Sequence, residues 1–407
     1  MEGDKNRVFR LQGKVQHYHW GGNSFLPAFL HIPNPEKKPF AEYWMGAHDQ
    51  TSAEIVDSHQ KIIGLNQFIR DFPRETLGEK IAAEFGRLPY LLKVLDVKDM
   101  LSIQVHPTKE SAEQAFNKES RSGLSLADAR RNYKDDNHKP ELMLALSEFW
   151  LLHGFRRRSS LEQTLQKVPE LQFLVYPFTH GSYEGLYRKV MEMPQEDVDE
   201  TLRPLLNRII PAYQKNLLQK NDEHFWAARA ALTFNREEHI DRGIFSIYFF
   251  NLLNLHPGEA IFQDAGLPHA YLEGQNIEIM ANSDNVLRGG LTSKHIDVQE
   301  LMQHIKFEET VPEIIHGQKT SDHELVFPTP APDFELSLLI LEQGETISSA
   351  SATAEIFLLM DGEAEIIEND QNRLLIEKGE AFVSFHEALF DISAIKKSVI
   401  CKASVPS

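Results

Sequence analysis

Four short stretches of this 407-residue chain carry residue types and spacings that could do chemistry. The first is Gln104-Val105-His106. Residues i and i+2 of a strand face the same way, so the Gln104 amide oxygen and the His106 imidazole would converge, and Pro107 would end the strand. A half-buried polar strand end would look the same. The second is YKDDNHKPE, residues 133–141. Pro140 fixes its own φ and pushes Lys139 towards an extended conformation, which sends Lys139 and Glu141 to one side. On the residues alone, a solvated loop before a strand is the plainer reading. The third, PGEAIFQDAGLPHAYLEG (257–274), ends a turn and a short strand in Gly-x-Pro-His. A lone histidine such as His269 is more often structural than a ligand. Here Gln104, His106 and Glu141 would complete the three or four nitrogen and oxygen donors that a divalent metal needs. The fourth is IEIMANSDNVLRGGLTSKHID (277–297). Ser283-Asp284-Asn285 is turn chemistry, Arg288-Gly289-Gly290 puts a guanidinium on a flexible backbone, and Lys294 follows. Two cations around a Gly-Gly loop suit an anion, and a solvated basic loop fits equally well.

These residues need a framework of short strands. Val8–Trp20 and Pro89–Val97 are rich in β-branched and aromatic residues, with helical interludes near 64–87. A helix is expected over 108–132, then a polar segment, Asn132–Lys139, that opens into the apolar run Leu142–Trp150. From 157 to 242 the pattern is helical. Ser159 or Ser160 would cap a helix carrying Leu161 and Leu165. Phe225, Trp226, Ala228 and Leu232 form a helix-period stripe that Gly243 would stop. Strand grammar returns at Ile244–Leu255 and Glu259–Gln263 and runs through Ile279. After a proline-rich joint at 328–333, strands are expected at Phe334–Leu341, Ile356–Met360, Glu363–Ile367, Arg373–Ile376 and Ala381–Phe385. Pro-Gly turn, short strand and Gly-x-Pro-His have the cadence of a cupin-type jelly roll, with His269 inside the barrel mouth.

Composition narrows the function classes. With 42 basic and 60 acidic residues the chain carries a formal charge of −18, which argues against non-specific binding to nucleic acid or to an anionic membrane. A small phosphorylated ligand stays compatible, because a local cation cluster acts within a Debye length of about 8 Å. The single cysteine, Cys401, excludes an internal disulfide and cysteine-based metal motifs. The opening MEGDKNRVFRLQGK has no apolar run of signal-peptide length, and a cytoplasmic protein is expected.

Together the four segments resemble the type I phosphomannose isomerases. The matching passages are AEYWMGAH (41–48), LLKVLDVKDMLSIQVHP (91–107), YKDDNHKPE (133–141) and HAYLEGQNIEIMANSDNVLRGGLTSK (269–294). The last two fit the family's signature patterns almost letter for letter, with Gly289 where the family usually has Ala and Ser293 where it has Pro. The resemblance implies a mainly β fold with an α insertion. A metal-bearing catalytic cupin would span 1–156 and 243–324, a helical insertion domain 157–242, and a metal-free cupin-like domain 325–407. It implies one zinc per chain held by Gln104, His106, Glu141 and His269, and a catalytic Arg288. Lys93 and Ser102 would line the same pocket, together with Trp20, Lys139, Glu278, Asp284 and Lys294. A monomer is expected, with a hexose 6-phosphate as its small-molecule partner.

The implied reaction suits these residues. Interconverting mannose 6-phosphate and fructose 6-phosphate moves a proton between C2 and C1 through a cis-enediol or enediolate, which places negative charge on O1 and O2. A metal polarises those oxygens and a guanidinium stabilises the charge. The donor set would also accept Mn²⁺, Co²⁺ or Fe²⁺, and zinc is the choice the resemblance implies. Asp284, Glu278, His48, Lys139 and a metal-bound water are all candidates for the general base, and spacing does not choose among them. Two other readings use the same residues: a cupin metalloenzyme of the dioxygenase type, and a non-catalytic sugar-phosphate sensor.

Overall fold

The structure, a computed structural model, describes residues 6–56, 60–128, 130–236 and 239–406. The described residues are mainly β, forming two eleven-stranded antiparallel sheets with helices packed outside them. The main path of the first sheet runs Ile315–His316, Glu259–Gln263, Glu141–Ala145, His269–Ala281, Tyr90–Val97, Glu42–Gly46, Lys14–Gln16. The His269–Ala281 strand takes part in two arms of this sheet. Residues 274–281 pair with Tyr90–Val97, and part of that stretch pairs with Glu141–Ala145. Residues 269–273 pair with Phe149–Phe155 and, at His269, with Ile103–Val105. Ile103–Val105 in turn pairs with Leu287–Gly290. The changeover falls at a bulge beside Gly274, whose φ of +135° an L side chain would rarely adopt.

Strand alternation explains what each face of these arms holds. Ile103, Val105, Leu152, Ala270, Leu272 and Leu287 point outward into one core shared with the helices over 158–234, where Leu161, Leu165, Leu186, Leu202 and Trp226 meet them. On the other arm Leu92, Val94, Leu142, Leu144, Ile277 and Ile279 share a core with Ile356, Leu358, Val383 and Ala403 of the second sheet. The residues in between, at i+1, therefore turn the opposite way, to the inner faces. These are Gln104, His269, Arg288, Lys93, Glu141 and Glu278.

The second sheet joins the C-terminal strands, including Glu335–Leu341, Glu355–Asn369 and Leu389–Ser404, to the N-terminal strands Val8–Gln12, Glu54–Val56 and Ile62–Gly64. Among the described residues, no helix is long and apolar enough to cross a membrane.

Several expected elements differ from those observed. The helix over 108–132 stops at Arg121, with Ser122 as its cap and Gly123 turning to φ +79°; its start is as expected, with the Thr108 hydroxyl accepting the Ser111 N–H. Ser159 and Ser160 lie inside a helix that begins at Arg158 rather than capping it. Gly243 opens a helix instead of ending one, and Ile244–Phe249 is helical, with the strand confined to Phe250–Leu255. Every residue of that helix is buried, so its run of apolar side chains has no periodicity to separate helix from strand. Ile356–Met360 and Glu363–Ile367 are parts of one strand, Glu355–Asn369, because bulges around 359–364 let it continue through the Asp-Gly pair.

Candidate metal centre

The register places one row of polar side chains across four neighbouring strands. His153 pairs with His269, His269 with Gln104, and Gln104 with Arg288. Directly opposed residues share a face, so the row runs along the inside of the arm whose outside the helices cover. Glu141 comes from the other arm. His106 lies just past the end of the Ile103–Val105 strand, before Pro107.

His106, Glu141 and His269 converge with ligand atoms within 4.8 Å of one another, all buried. His106 Nε2 is 3.4 Å from Glu141 Oε1, and His269 Nε2 is 3.2 Å from Glu141 Oε2. Both tautomers are fixed from behind. His106 Nδ1 donates to the Asn285 carbonyl at 2.8 Å, and His269 Nδ1 donates to the Leu267 carbonyl at 3.0 Å. A carbonyl only accepts, so each Nδ1 carries the hydrogen, and in its neutral form each imidazole turns an Nε2 lone pair towards the carboxylate. Burial pushes the pKa of His106 down to about 4, which keeps that ring neutral near pH 7. Burial also acts to raise the Glu141 pKa, but the Lys139 ammonium beside it holds it well below the ordinary carboxylate range. Two lone pairs and a carboxylate aimed at one point repel each other unless a cation lies between them. His106 Nε2 is moreover a buried atom with no hydrogen-bond partner. The donor set therefore fits a divalent metal with mixed nitrogen and oxygen ligands.

The local sequence explains this placement. The Gly-x-Pro-His turn is tied to His106, whose carbonyl accepts the Gly266 N–H at 2.9 Å. Asn285 is a hub: its side chain accepts the Lys134 N–H and donates to the Asp135 and Asn137 carbonyls, while its own carbonyl fixes His106. Asp135 accepts from the Ser283 hydroxyl and the Asp284 N–H. The segment 133–141 is thus held against 283–285. Lys139 and Glu141 do face one side, with Nζ 2.9 Å from Oε1.

Beside the triad lies a cavity of about 50 Å³, lined by Gln104, Glu141 and His269 together with Lys93, Lys139, Glu278, Glu42 and Tyr271. Lys93 Nζ is 3.1 Å from Glu278 and 3.5 Å from Glu42, and 5.0 Å above the Trp44 ring. Burial alone would lower its pKa, but Glu42 and Glu278 hold it above the ordinary value. Burial and the nearby Glu141 raise Glu278.

The other expected residues are more dispersed. Asp284 Oδ2 lies 3.1 Å from His48 Nε2, and its side chain is 37% exposed, so this pair sits where solvent enters. Burial acts to raise the Asp284 pKa, but the His48 hydrogen bond holds it below the usual carboxylate value. Trp20 is outside the cavity lining; it packs in an apolar cluster with Leu95, Phe149 and Tyr271 and so stands one layer behind. Ser102 is half-buried just before the Ile103–Val105 strand and is not part of the lining. Arg288 is half-buried, and among the described residues no side-chain hydrogen bond or ion pair engages its guanidinium; burial lowers its pKa. Lys294 is exposed, and burial of its ammonium end and the Arg288 charge lower its pKa. Glu42, Tyr271, Asn285 and Asp135 were not singled out individually from the sequence. Glu42 and Asn285 lie in passages that the resemblance rests on, and Asp135 belongs to the YKDDNHKPE segment.

Comparison with known proteins agrees with this geometry. Residues 8–158 match the family described as "Phosphomannose isomerase type I, catalytic domain". The mannose-6-phosphate isomerase of Salmonella typhimurium is 37% identical over 388 residues, covering 93% of this chain and 95% of that protein. That of Homo sapiens is 35% identical over 395 residues, covering 85% and 90%. A crystal structure of the Salmonella typhimurium mannose 6-phosphate isomerase bound to substrate and to zinc superposes with a TM-score of 0.87. Its identity is 34%, and the match covers 99% of this chain and 100% of that one.

Proposed function

The chain belongs to the type I phosphomannose isomerase family, and from that membership we propose that it interconverts mannose 6-phosphate and fructose 6-phosphate using one zinc ion. The ion would be held by Gln104, His106, Glu141 and His269. The observation that carries this reading is the convergence of two imidazole Nε2 lone pairs, each fixed by a backbone carbonyl, on one ionised carboxylate. Gln104 joins them because it opposes His269 across the strand pair and lines the same cavity.

When bound, the metal supplies Lewis-acid polarisation of the sugar's O1 and O2. The residues of the chain do the rest. Abstraction of the C2 proton from the open-chain aldose lets its electron pair form the C1–C2 double bond while O1 gains charge and then a proton. Returning a proton to C1 and releasing the O2 proton gives the ketose. Arg288 opposes Gln104 in the ladder and has no partner of its own among the described residues, so its guanidinium is free to meet the charge that develops on the enediolate. Lys139 and Glu278 sit in buried ion-paired surroundings, whereas Asp284 keeps a partly solvated carboxylate held by His48. The Asp284–His48 pair is therefore the reading we favour for carrying the proton. Lys294, exposed and near Arg288, would receive the 6-phosphate, which orients the sugar from the end remote from the reacting carbons. Lys93 and Lys139 would contact sugar oxygens from the cavity wall, Ser102 would border the same pocket, and Trp20 would support it from behind.

The same reading assigns the first sheet to a metal-bearing cupin-type jelly roll over 1–156 and 243–324. The helices over 157–242 form the insertion, and 325–407 a metal-free cupin-like domain that N-terminal strands complete. It extends to a cytoplasmic monomer. The deciding experiment is turnover of mannose 6-phosphate by purified, zinc-loaded protein with detection of fructose 6-phosphate. Stoichiometric zinc without any turnover would overturn the catalytic reading.

A further inference from the structure

We propose that Asp241, where the helical insertion returns to the sheet, is a positioning residue for Arg288: its carboxylate clamps the 290–292 turn and so fixes the strand that carries the guanidinium. This deepens the function above and rests on the catalytic reading of Arg288.

The clamp consists of three main-chain hydrogen bonds to one side chain. Asp241 Oδ1 accepts the N–H of Leu291 at 2.8 Å and of Gly243 at 2.7 Å, and Oδ2 accepts the N–H of Thr292 at 3.0 Å. A carboxylate offers about four acceptor sites on two oxygens, so it satisfies all three donors at once. Asp241 is itself anchored, because its N–H donates to Asn235 Oδ1 at 3.1 Å, just past the Glu223–Phe234 helix.

The turn needs such a clamp. Immediately after Arg288 the ladder slips register at a bulge, so that Gly290 rather than Gly289 opposes Ile103. Leu291 lies at φ +52°, a conformation that an L side chain adopts only under constraint. Gly290, at φ +129°, approaches so closely that a Cβ there would lie 2.3 Å from the Gly243 Cα. Gly289 is packed from the same side: a Cβ at that position would fall 2.7 Å from the Tyr187 hydroxyl, which comes from the Tyr183–Met191 helix. The departure from Ala at 289 thus leaves room for a tyrosine of the insertion rather than a loose loop. Since no side chain among the described residues holds the Arg288 guanidinium, the backbone path sets where it points. That path is set by Asp241.

Asp241→Asn keeps the size but removes one acceptor oxygen and turns an NH₂ towards a backbone N–H. A displacement of about 1 Å in a group that acts on the transition state can cost on the order of 10²-fold in rate. We therefore expect kcat to fall about 10- to 100-fold, with KM changed by less than about threefold and zinc still at one per chain. The discriminating measurement is a double-mutant cycle with Arg288→Lys. If Asp241 acts through Arg288, adding Asp241→Asn to Arg288→Lys should cost less than about threefold. An equal fold-loss in both backgrounds, or an unchanged kcat in the single variant, overturns the proposal. Hydrogen exchange gives a readout independent of turnover: peptides covering 287–292 should exchange faster in Asp241→Asn than in the unaltered chain, and unchanged exchange there overturns the clamp. Lack of turnover by the unaltered, zinc-loaded chain would count against the isomerase reading alone and leave the exchange result standing. Should Asp241→Asn fail to fold, Asn235→Ala loosens the same anchor without touching the carboxylate. It should reproduce the faster exchange at 287–292, and unchanged exchange in it overturns the proposal.

Discussion

Replacing Arg288 by lysine tests the chemistry most directly. The change keeps one positive charge but loses the planar fork and its several fixed donors, so it is not conservative at a site that must follow a spreading charge. Arg288 pairs across the ladder with Gln104, on the inner face beside His269, and the described residues give its guanidinium neither an ion pair nor a side-chain hydrogen bond. No side chain among the described residues competes for the guanidinium, and on the proposed role its contribution should be concentrated in the transition state. Removal of one well-placed donor of this kind costs about 10²–10³ in kcat, equivalent to about 2.7–4 kcal/mol. We expect Arg288→Lys to lose kcat by about 10²-fold, at the lower end because the charge survives, with KM within about threefold. Zinc content should remain one per chain, since residue 288 lies outside the His106, Glu141, His269 convergence. The assay is steady-state turnover of mannose 6-phosphate on zinc-loaded enzyme, with metal content measured on the same preparation. A rise in KM with kcat intact would refute the reasoning and assign Arg288 to holding the phosphate.

Three further outcomes follow from the same structure. Chelation should abolish turnover and one equivalent of zinc restore it, while Glu141→Gln should fail to retain zinc after dialysis; an active preparation without stoichiometric metal would sink the proposed centre. Glu273 ties the central strand to the insertion through Lys220, 2.5 Å away, and Arg229. Burial acts to raise its pKa, but the two cations hold it below the ordinary value. A depressed folded pKa means the stabilisation is complete above the unfolded value of about 4.3 and is lost as pH falls through the folded one. Glu273→Gln should therefore cost about 1–2 kcal/mol at pH 7 and at pH 5 alike, the gap narrowing below about pH 4, as read from urea midpoints. Tyr90 carries its buried hydroxyl to 2.8 Å from the Ala403 carbonyl and 3.0 Å from that of Ala354, linking the first sheet to the second. Tyr90→Phe should lower stability by about 1–2 kcal/mol with kcat unchanged, measured by denaturation and turnover together.

How much of this was legible in the sequence depends on how local each signal is. Lys139 and Glu141 facing one side follow from a single proline, and the structure has them 2.9 Å apart. The start of the Thr108-capped helix is equally local. The convergence of His106, Glu141 and His269 is not local: it requires two arms of one sheet to face each other, and no spacing within either arm encodes that. The resemblance supplied it. The fully buried stretch Ile244–Phe249 reads as strand because burial on all sides erases the period that distinguishes a helix. Strand Thr346–Ala350 escapes notice for another reason: its alternation is carried largely by Thr, Ser and Ala, which weakens the apolar contrast. Asp241 has one local partner, the Gly243 N–H, which any turn aspartate could have; the two that matter for Arg288 are backbone groups about fifty residues away, which no local spacing encodes.

The distribution of charge gives the site two ends, and this bears on how an anionic sugar enters a chain of net charge −18. At the metal end every nearby cation already has an acid: Lys139 has Glu141, and Lys93 has Glu42 and Glu278. Apart from the metal itself, a phosphate placed there would meet three carboxylates and no unpaired side-chain cation among these lysines. At the other end Lys294 forms no ion pair with a carboxylate among the described residues, and burial and then the charge of Arg288 lower its pKa. An ammonium with a second positive charge nearby is relieved by an incoming dianion, and the gain is larger where water is partly excluded. On the proposed function the orientation would be set by electrostatics: phosphate towards Lys294, the carbonyl carbons towards Gln104, Glu141 and the histidines. Lys294→Met should accordingly raise KM for mannose 6-phosphate about tenfold or more at low ionic strength, and by less as salt screens the attraction, because the residue lies at an exposed position. Because that end is remote from the reacting carbons, kcat at saturation should change by less than about threefold. Steady-state kinetics from about 20 to 300 mM salt reads both effects. A KM that does not respond to the substitution would place the phosphate elsewhere, and a selective loss of kcat would make Lys294 part of the proton-transfer chemistry instead.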